Sequence, residues 1–303
     1  MKNEIDVFST QENKKINQTQ FPIKTTKKNI TAIRIFLLIF FIILSVLILL
    51  PFYAILLASF KPGGELIRHG LNLRIQSDIL SLNNYRFLFT GEHSYFTWFK
   101  NSMVLTILQV ICTLIVSATV GYGFAVYDFK LKIPLFICVL LIMMVPFEIL
   151  MLPLYQQTIK MNLINTKLGI LLPFMANSSI IFFFIQYLTG IPRDIIDAGR
   201  VDGATEYGIF LRLILPIMKP AFAAMGILAG MNSWNNFLWP LLVFRESEKF
   251  TLPIGLNTLL TPYGNNYDLL IVGSCFSILP IFILFLCFQQ YFIEGMTAGS
   301  IKG

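Results

Sequence analysis

The chain has 303 residues, of which 56% are hydrophobic and 13% charged, whereas a soluble domain carries about 25% charged residues. A water-soluble globular domain is therefore excluded, and the sequence reads as an integral membrane protein. The net charge of +7 comes without any basic helix interleaved with aromatics, so it is taken as a positive-inside bias and not as a nucleic-acid surface.

Residues 1–30 are polar, rich in Lys, Asn, Gln and Thr, and lack helical periodicity; they are expected to form a mobile cytoplasmic tail. The apolar run 35–60 follows a basic flank. As a helix it measures about 39 Å, too long for a cleaved signal whose apolar region is about 7–15 residues, so it spans the bilayer with some tilt. Five more apolar runs follow at about 101–127, 133–155, 168–192, 221–244 and 269–293. The fold class expected is an all-α polytopic membrane protein with six transmembrane helices, a six-helix domain over 31–303. Pro146, Pro153, Pro173 and Pro280 lie inside the runs, where each removes a helix hydrogen bond and is expected to kink its span. Cys112, Cys138, Cys275 and Cys287 fall in apolar runs without CxxC spacing and read as small buried hydrophobes.

Charge placement supports this division. Of 23 basic and 16 acidic side chains, only Glu148 lies inside the runs, as expected when a charge at a helix centre costs about 2.5–3.5 kcal/mol. Glu148, near the outer end of the third run, reads as snorkelling or lining an outer cavity. The side that carries the tail, the 128–132 turn, the 193–220 loop and the C-terminus holds 14 basic residues against 9 on the other. With Lys24, Lys27, Lys28 and Arg34 flanking the first run, both termini are placed in the cytoplasm.

The largest cytoplasmic loop then contains DAGRVDGATEYGIFLRLILP, residues 197–216. It reads as two short helices joined at a turn, with Asp194 placed to cap the first and Gly203 supplying the turn. Ile209, Phe210, Leu213 and Ile214 recur at helical spacing, and Arg200, Asp202, Glu206 and Arg212 take polar positions. A short amphipathic element of this kind suits docking into a groove on another protein.

This stretch resembles the EAA loop of ABC importer permeases, EAA-x3-G-x9-I-x-LP. Asp197, Ala198 and Gly199 stand at the EAA positions, Arg200, Asp202 and Ala204 flank Gly203, and Leu213 to Pro216 close the pattern. Asp for Glu shortens the reach, and Gly199 for Ala loosens the first helix by about 1 kcal/mol. LLPFYAILLASFKP, NNYRFLF, WFKNS, SWNNFLWPLLV, TLPIGL and the terminal EGMTAGSIKG are similar to the maltose-type, sugar-transporting branch. The resemblance implies a type I (MetI-like) permease fold in the bacterial cytoplasmic membrane and a non-catalytic subunit. Its implied partners are a second, different permease, an ATPase dimer that binds ATP and Mg, and an extracytoplasmic sugar-binding protein. The 193–220 loop would dock on the ATPase, and the C-terminal tail 294–303, with Thr297, Ala298, Gly299 and Lys302, would reach between the two ATPase subunits. No Gly-Lys dipeptide occurs, so this chain has no phosphate loop of its own and no cofactor is expected on it.

For the sugar path, the fifth run offers Asn232, Trp234, Asn235, Asn236 and Trp239. Amides match hydroxyls as donor and acceptor, and an indole face covers a sugar's C–H face. Asn232, Asn235, Asn236 and Trp239 are expected on roughly one helix face; interhelical hydrogen bonding that only holds the bundle is the alternative. A stand-alone secondary transporter or channel is the rival function, disfavoured by the absence of a clear repeat and by a single intramembrane charge. An intramembrane enzyme finds no buried Asp pair, buried His or metal spacing to support it.

Overall fold

The computed structural model describes residues 27–90, 94–261 and 264–298. The described chain is helical apart from one antiparallel pair, Leu260–Thr261 with Gly264–Asn265, in the register Leu260 opposite Asn265. It divides into two units, residues 1–54 and 55–303. In the first, the described residues belong to the helix Lys27–Ser59. Its Leu, Ile and Phe side chains between residues 33 and 53 are exposed throughout, a surface suited to an apolar surrounding and not to water.

Among the described residues, three helices are long and apolar enough to cross a membrane: Ile33–Ser59, Tyr95–Val126 and Tyr267–Gln290. The other three predicted runs are not single helices. The run 133–155 breaks into Lys132–Met144 and Phe147–Lys160, bent by 105°. Pro146 forces the residue before it out of helical geometry, and Val145 is extended at ψ 117°. The run 168–192 bends by 44° between Lys167–Phe174 and Ser178–Thr189, where Asn177 starts the new helix by accepting from the Ile180 N–H at 3.1 Å. The run 221–244 ends as a helix at Trp234, and a short helix Leu238–Val243 follows. A 77° bend separates Glu206–Ile217 from Lys219–Trp234.

Packing in the second unit centres on the helix Tyr95–Val126. Ala118 and Tyr122 on it pack with Phe184, Leu188, Ile196, Ile209, Ile214 and Met218. A second cluster gathers Tyr95, Trp98, Trp234, Leu269 and Val272, and a third Leu105, Ile170, Leu171, Trp239 and Val243. The short motifs noted in the sequence prove to be one another's partners. Asn84 of NNYRFLF donates to the carbonyls of Ser59 and Lys61 in ASFKP, at 3.1 and 2.7 Å. In WFKNS, Trp98 donates to the Ser247 carbonyl, Asn101 to those of Glu248 and Phe250, and the Ser102 hydroxyl accepts from the Leu252 N–H. These bonds satisfy loop backbone that helices leave unpaired. The four cysteines are free; Cys138 and Cys287 are exposed, contrary to the expectation of burial, because they lie on outward helix faces.

Candidate functional site

The 193–217 segment folds as the expected pair of short helices, with a tighter construction than the pattern suggests. The first, Arg193–Val201, starts at Pro192, and no side chain caps it. Asp194 therefore acts as first-turn charge against the helix dipole and not as the cap foreseen. Gly203 ends the helix at φ +78°, with nothing within 4 Å of where a Cβ would stand. Its N–H donates to the Arg200 carbonyl at 3.0 Å, and the Ala204 N–H to that of Gly199 at 3.0 Å, the two bonds of a Schellman stop. The Asp202 N–H is held by the Ala198 carbonyl.

Thr205 caps the second arm by accepting from the Gly208 N–H at 3.1 Å. A π-helical stretch, Ile209–Ile214, then leads into Leu215–Ile217, where Pro216 offers no N–H to the preceding turn. Insertions of π geometry concentrate at functional sites. The arms cross at Gly199, which is buried: a Cβ there would meet Leu213 Cδ1 at 2.7 Å and Ile209 Cγ1 at 3.1 Å. Gly199 is thus a contact point between arms, beyond the loosened helix its sequence position implies. Ile209 and Ile214 are fully buried in the chain's own core. That apolar face is consumed internally and is not free for a partner, contrary to the docking expected of it. What the hairpin presents outward is Val201, Tyr207 and Leu211, which are 88%, 83% and 55% exposed; sequence periodicity assigned none of them.

An ionic network links the arms to the neighbouring helix end. Arg200 Nε donates to Glu206 Oε1 at 2.8 Å and Nη2 to Oε2 at 3.3 Å, while Nη1 reaches Asp197 Oδ1 at 3.2 Å. The Tyr127 hydroxyl, just past Tyr95–Val126, donates to Glu206 Oε2 at 2.6 Å. These hydrogen bonds, from Arg200 first and then Tyr127, hold the Glu206 carboxyl below its ordinary pKa, and Glu206 in turn raises that of Arg200.

A cavity of about 520 Å³ lies elsewhere in the second unit, lined by Asn232, Asn235, Asn236, Glu148, Phe147 and Phe174 among others. The three amides make no side-chain hydrogen bond among the described residues. Trp234 and Trp239 do not line it. Trp234 is buried and donates to the Ser277 carbonyl at 3.1 Å. Trp239 is fully buried, donates to the Gly169 carbonyl at 3.0 Å, and has Phe147 and Phe174 against its ring. The helix ends before Asn235, so the shared face assumed for Asn232 through Trp239 does not exist.

Sequence reasoning also missed a polar stripe. Ser102, Thr106, Gln109, Thr113 and Ser117 recur at steps of three and four along Tyr95–Val126, and all are buried. Ser102, Gln109 and Thr113 line the cavity. Gln109 donates to the Thr113 hydroxyl at 3.0 Å, which donates to the Phe174 carbonyl at 2.9 Å. The hydroxyls of Thr106, Ser117 and Thr251 are buried with no partner among the described residues. The signal lies in the sequence itself, as the helical spacing of these polar residues inside an apolar run. Of the C-terminal residues, Thr297 and Ala298 close the helix Tyr267–Ala298; Gly299 and Lys302 lie outside the described residues, as do residues 1–26 of the expected tail 1–30, whose last four residues are not tail but the first turn of the helix Lys27–Ser59.

Comparison with known proteins places this architecture. The family model described as "Binding-protein-dependent transport system inner membrane component" matches residues 114–298. The arabinooligosaccharides transport system permease protein AraQ of Bacillus subtilis (strain 168) is 55% identical over 270 residues, 89% of this chain and 96% of that protein. The lactose transport system permease protein LacG of Rhizobium radiobacter is 35% identical over 204 residues, 67% of this chain and 74% of that protein. A solved bacterial ABC transporter involved in import of the acidic polysaccharide alginate shares the fold. It matches with a TM-score of 0.74 at 19% identity, over 88% of this chain and 98% of that one.

Proposed function

The chain belongs to the binding-protein-dependent transport system inner membrane components, as a permease of the carbohydrate ABC importers, and from that premise we propose that it forms one half of an oligosaccharide translocation path driven by ATP hydrolysed elsewhere. In this reading the three long helices and three bent pairs make six spans, with both termini in the cytoplasm. A second, different permease completes the path and an extracytoplasmic binding protein delivers the sugar. ATP and Mg sit on a partner ATPase dimer. The family supplies a multi-pass membrane subunit that is itself non-catalytic.

The observation that carries the coupling step is the division of the 193–217 hairpin into two faces. Its inner face, Ile196, Ile209 and Ile214, is packed into the core with Tyr122, Phe184 and Met218. A push on the hairpin therefore moves the helices Tyr95–Val126 and Ser178–Thr189 with it, because close-packed interiors transmit displacement. Its outer face, Val201, Tyr207 and Leu211, is apolar and exposed, as suits a site of protein contact. The ATPase docks there, and Asp197, Arg200 and Glu206 keep the two arms in register during the stroke. The C-terminal residues Thr297, Ala298, Gly299 and Lys302 form a second ATPase contact. Arabinooligosaccharides are the first substrates to test, following the relative at 55% identity.

Tyr207→Asp tests this reading. Tyr207 is 83% exposed, so the substitution leaves the fold intact and places an unpaired charge in an apolar contact. The expected result is normal insertion with loss of the co-purifying ATPase and of sugar uptake. Unchanged uptake with the ATPase still bound refutes the assignment of this face.

A further inference from the structure

The cavity has a chemical character that the reading above does not specify. Its volume of about 520 Å³ falls in the range of small-molecule sites, about 300–1,000 Å³. Asn232, Asn235 and Asn236 line it, and their amides make no side-chain hydrogen bond among the described residues; each amide offers two donors and an acceptor. Thr251 lines it too; that residue is 5% exposed, and its hydroxyl is buried without a partner among the described residues. Buried polar groups left unpaired are uncommon in folded proteins and call for an explanation such as a water or a ligand. Phe147 and Phe174 add apolar surface of the kind that covers C–H faces.

The charge pattern is one-sided. Among the described lining residues there is no Lys, Arg or His, and Glu148 is the one charged group. It has no ion-pair partner among the described residues. A carboxylated ligand entering this space would shed its water without meeting a cation and would face a like charge. A neutral ligand rich in hydroxyls meets amides and aromatic faces instead. We propose that the cavity is a binding subsite on this chain for an uncharged, hydroxyl-rich ligand, and that Glu148 sets its charge selectivity by rejecting carboxylated sugars. The proposal rests on the sugar-import reading and adds to it a location and a charge rule.

The test uses the assembled importer in nanodiscs without its binding protein, so that only the membrane site selects. Binding of labelled arabinotriose is measured, with galacturonate trimer and the neutral, size-matched galactotriose as competitors. Arabinotriose is expected to bind, with the uronate competing at least about tenfold less well than galactotriose. Glu148→Gln is expected to narrow that gap by about tenfold, with a melting temperature equal to the parent's showing that the variant is folded. Glu148→Lys is expected to reverse the preference, and Asn235→Ala to weaken arabinotriose binding. An unchanged gap in Glu148→Gln overturns the charge rule and leaves sugar import standing. If arabinotriose is transported but Asn232→Ala and Asn235→Ala bind it as the parent does, the subsite is not on this chain. If the parent complex neither binds nor transports any neutral sugar, the import reading fails first and takes this proposal with it.

Discussion

The turn at Gly203 gives a prediction whose size can be worked from geometry. Gly203 sits at φ +78°, yet nothing lies within 4 Å of a Cβ placed there. Substitution is therefore penalised by backbone conformation alone and not by crowding. For an L-residue the left-handed conformation costs roughly 1–2 kcal/mol, and replacing glycine recovers about 0.4–1 kcal/mol by restricting the unfolded chain. Gly203→Ala should then open the Schellman stop by about 1 kcal/mol. Gly203→Val, β-branched, should open it by about 2 kcal/mol, and Gly203→Asn, tolerant of this region, by a few tenths. Those energies correspond to local opening increased about 5-fold for Ala and about 30-fold for Val. Trypsin reads this directly, since Arg200 and Arg212 flank the turn and cleavage follows the open population when reclosing is fast. Cleavage rates in the order Gly, Asn, Ala, Val are expected, with uptake falling in the same order. Equal cleavage of Gly and Val, or Asn cleaved as fast as Val, would refute the conformational argument.

The remaining predictions concern the hairpin's other joints and the two tryptophans. Because Glu206 has a lowered pKa in the folded chain, its contribution is full above the ordinary carboxylate range and is lost as pH falls through the lowered folded value. Resistance of the hairpin to pepsin, which stays active in acid and cleaves at residues such as Tyr207, Phe210 and Leu211, should therefore drop as pH falls, and Glu206→Gln should flatten that profile; an unaltered profile in Glu206→Gln removes Glu206 as the cause. Gly199→Leu forces a side chain where Leu213 Cδ1 already stands, and should lower thermal stability of the purified protein by about 1–3 kcal/mol; a melting temperature equal to the parent's contradicts the close crossing. Trp239→Ala leaves a fully buried site empty and the Gly169 carbonyl unpaired, a loss of about 3–5 kcal/mol, so low expression with unchanged sugar specificity is expected. If instead it expresses normally and alters specificity, Trp239 belongs to the path after all.

Hydropathy and charge alone determined that this chain lives in a membrane, where its six apolar runs begin and end, and that 193–217 stays outside them. Those conclusions follow from local composition, since each residue pays its transfer penalty independently of its neighbours in space. Motif spacing likewise located Gly203, because a left-handed stop favours glycine whatever surrounds it. Tertiary structure decided which faces those elements turn inward. An apolar residue is equally suited to a core and to a partner's groove, so Ile209 and Ile214 were indistinguishable from Tyr207 and Leu211 until packing buried the first pair and exposed the second. The same holds for the indoles of Trp234 and Trp239, whose N–H groups were claimed by the carbonyls of Ser277 and Gly169, 43 and 70 positions away in sequence. It also holds for Glu148, which a break at Pro146 and the folding of distant segments bring to one cavity with Asn235. Long-range partners of this kind leave no periodicity to read; only the closed fold assigns them.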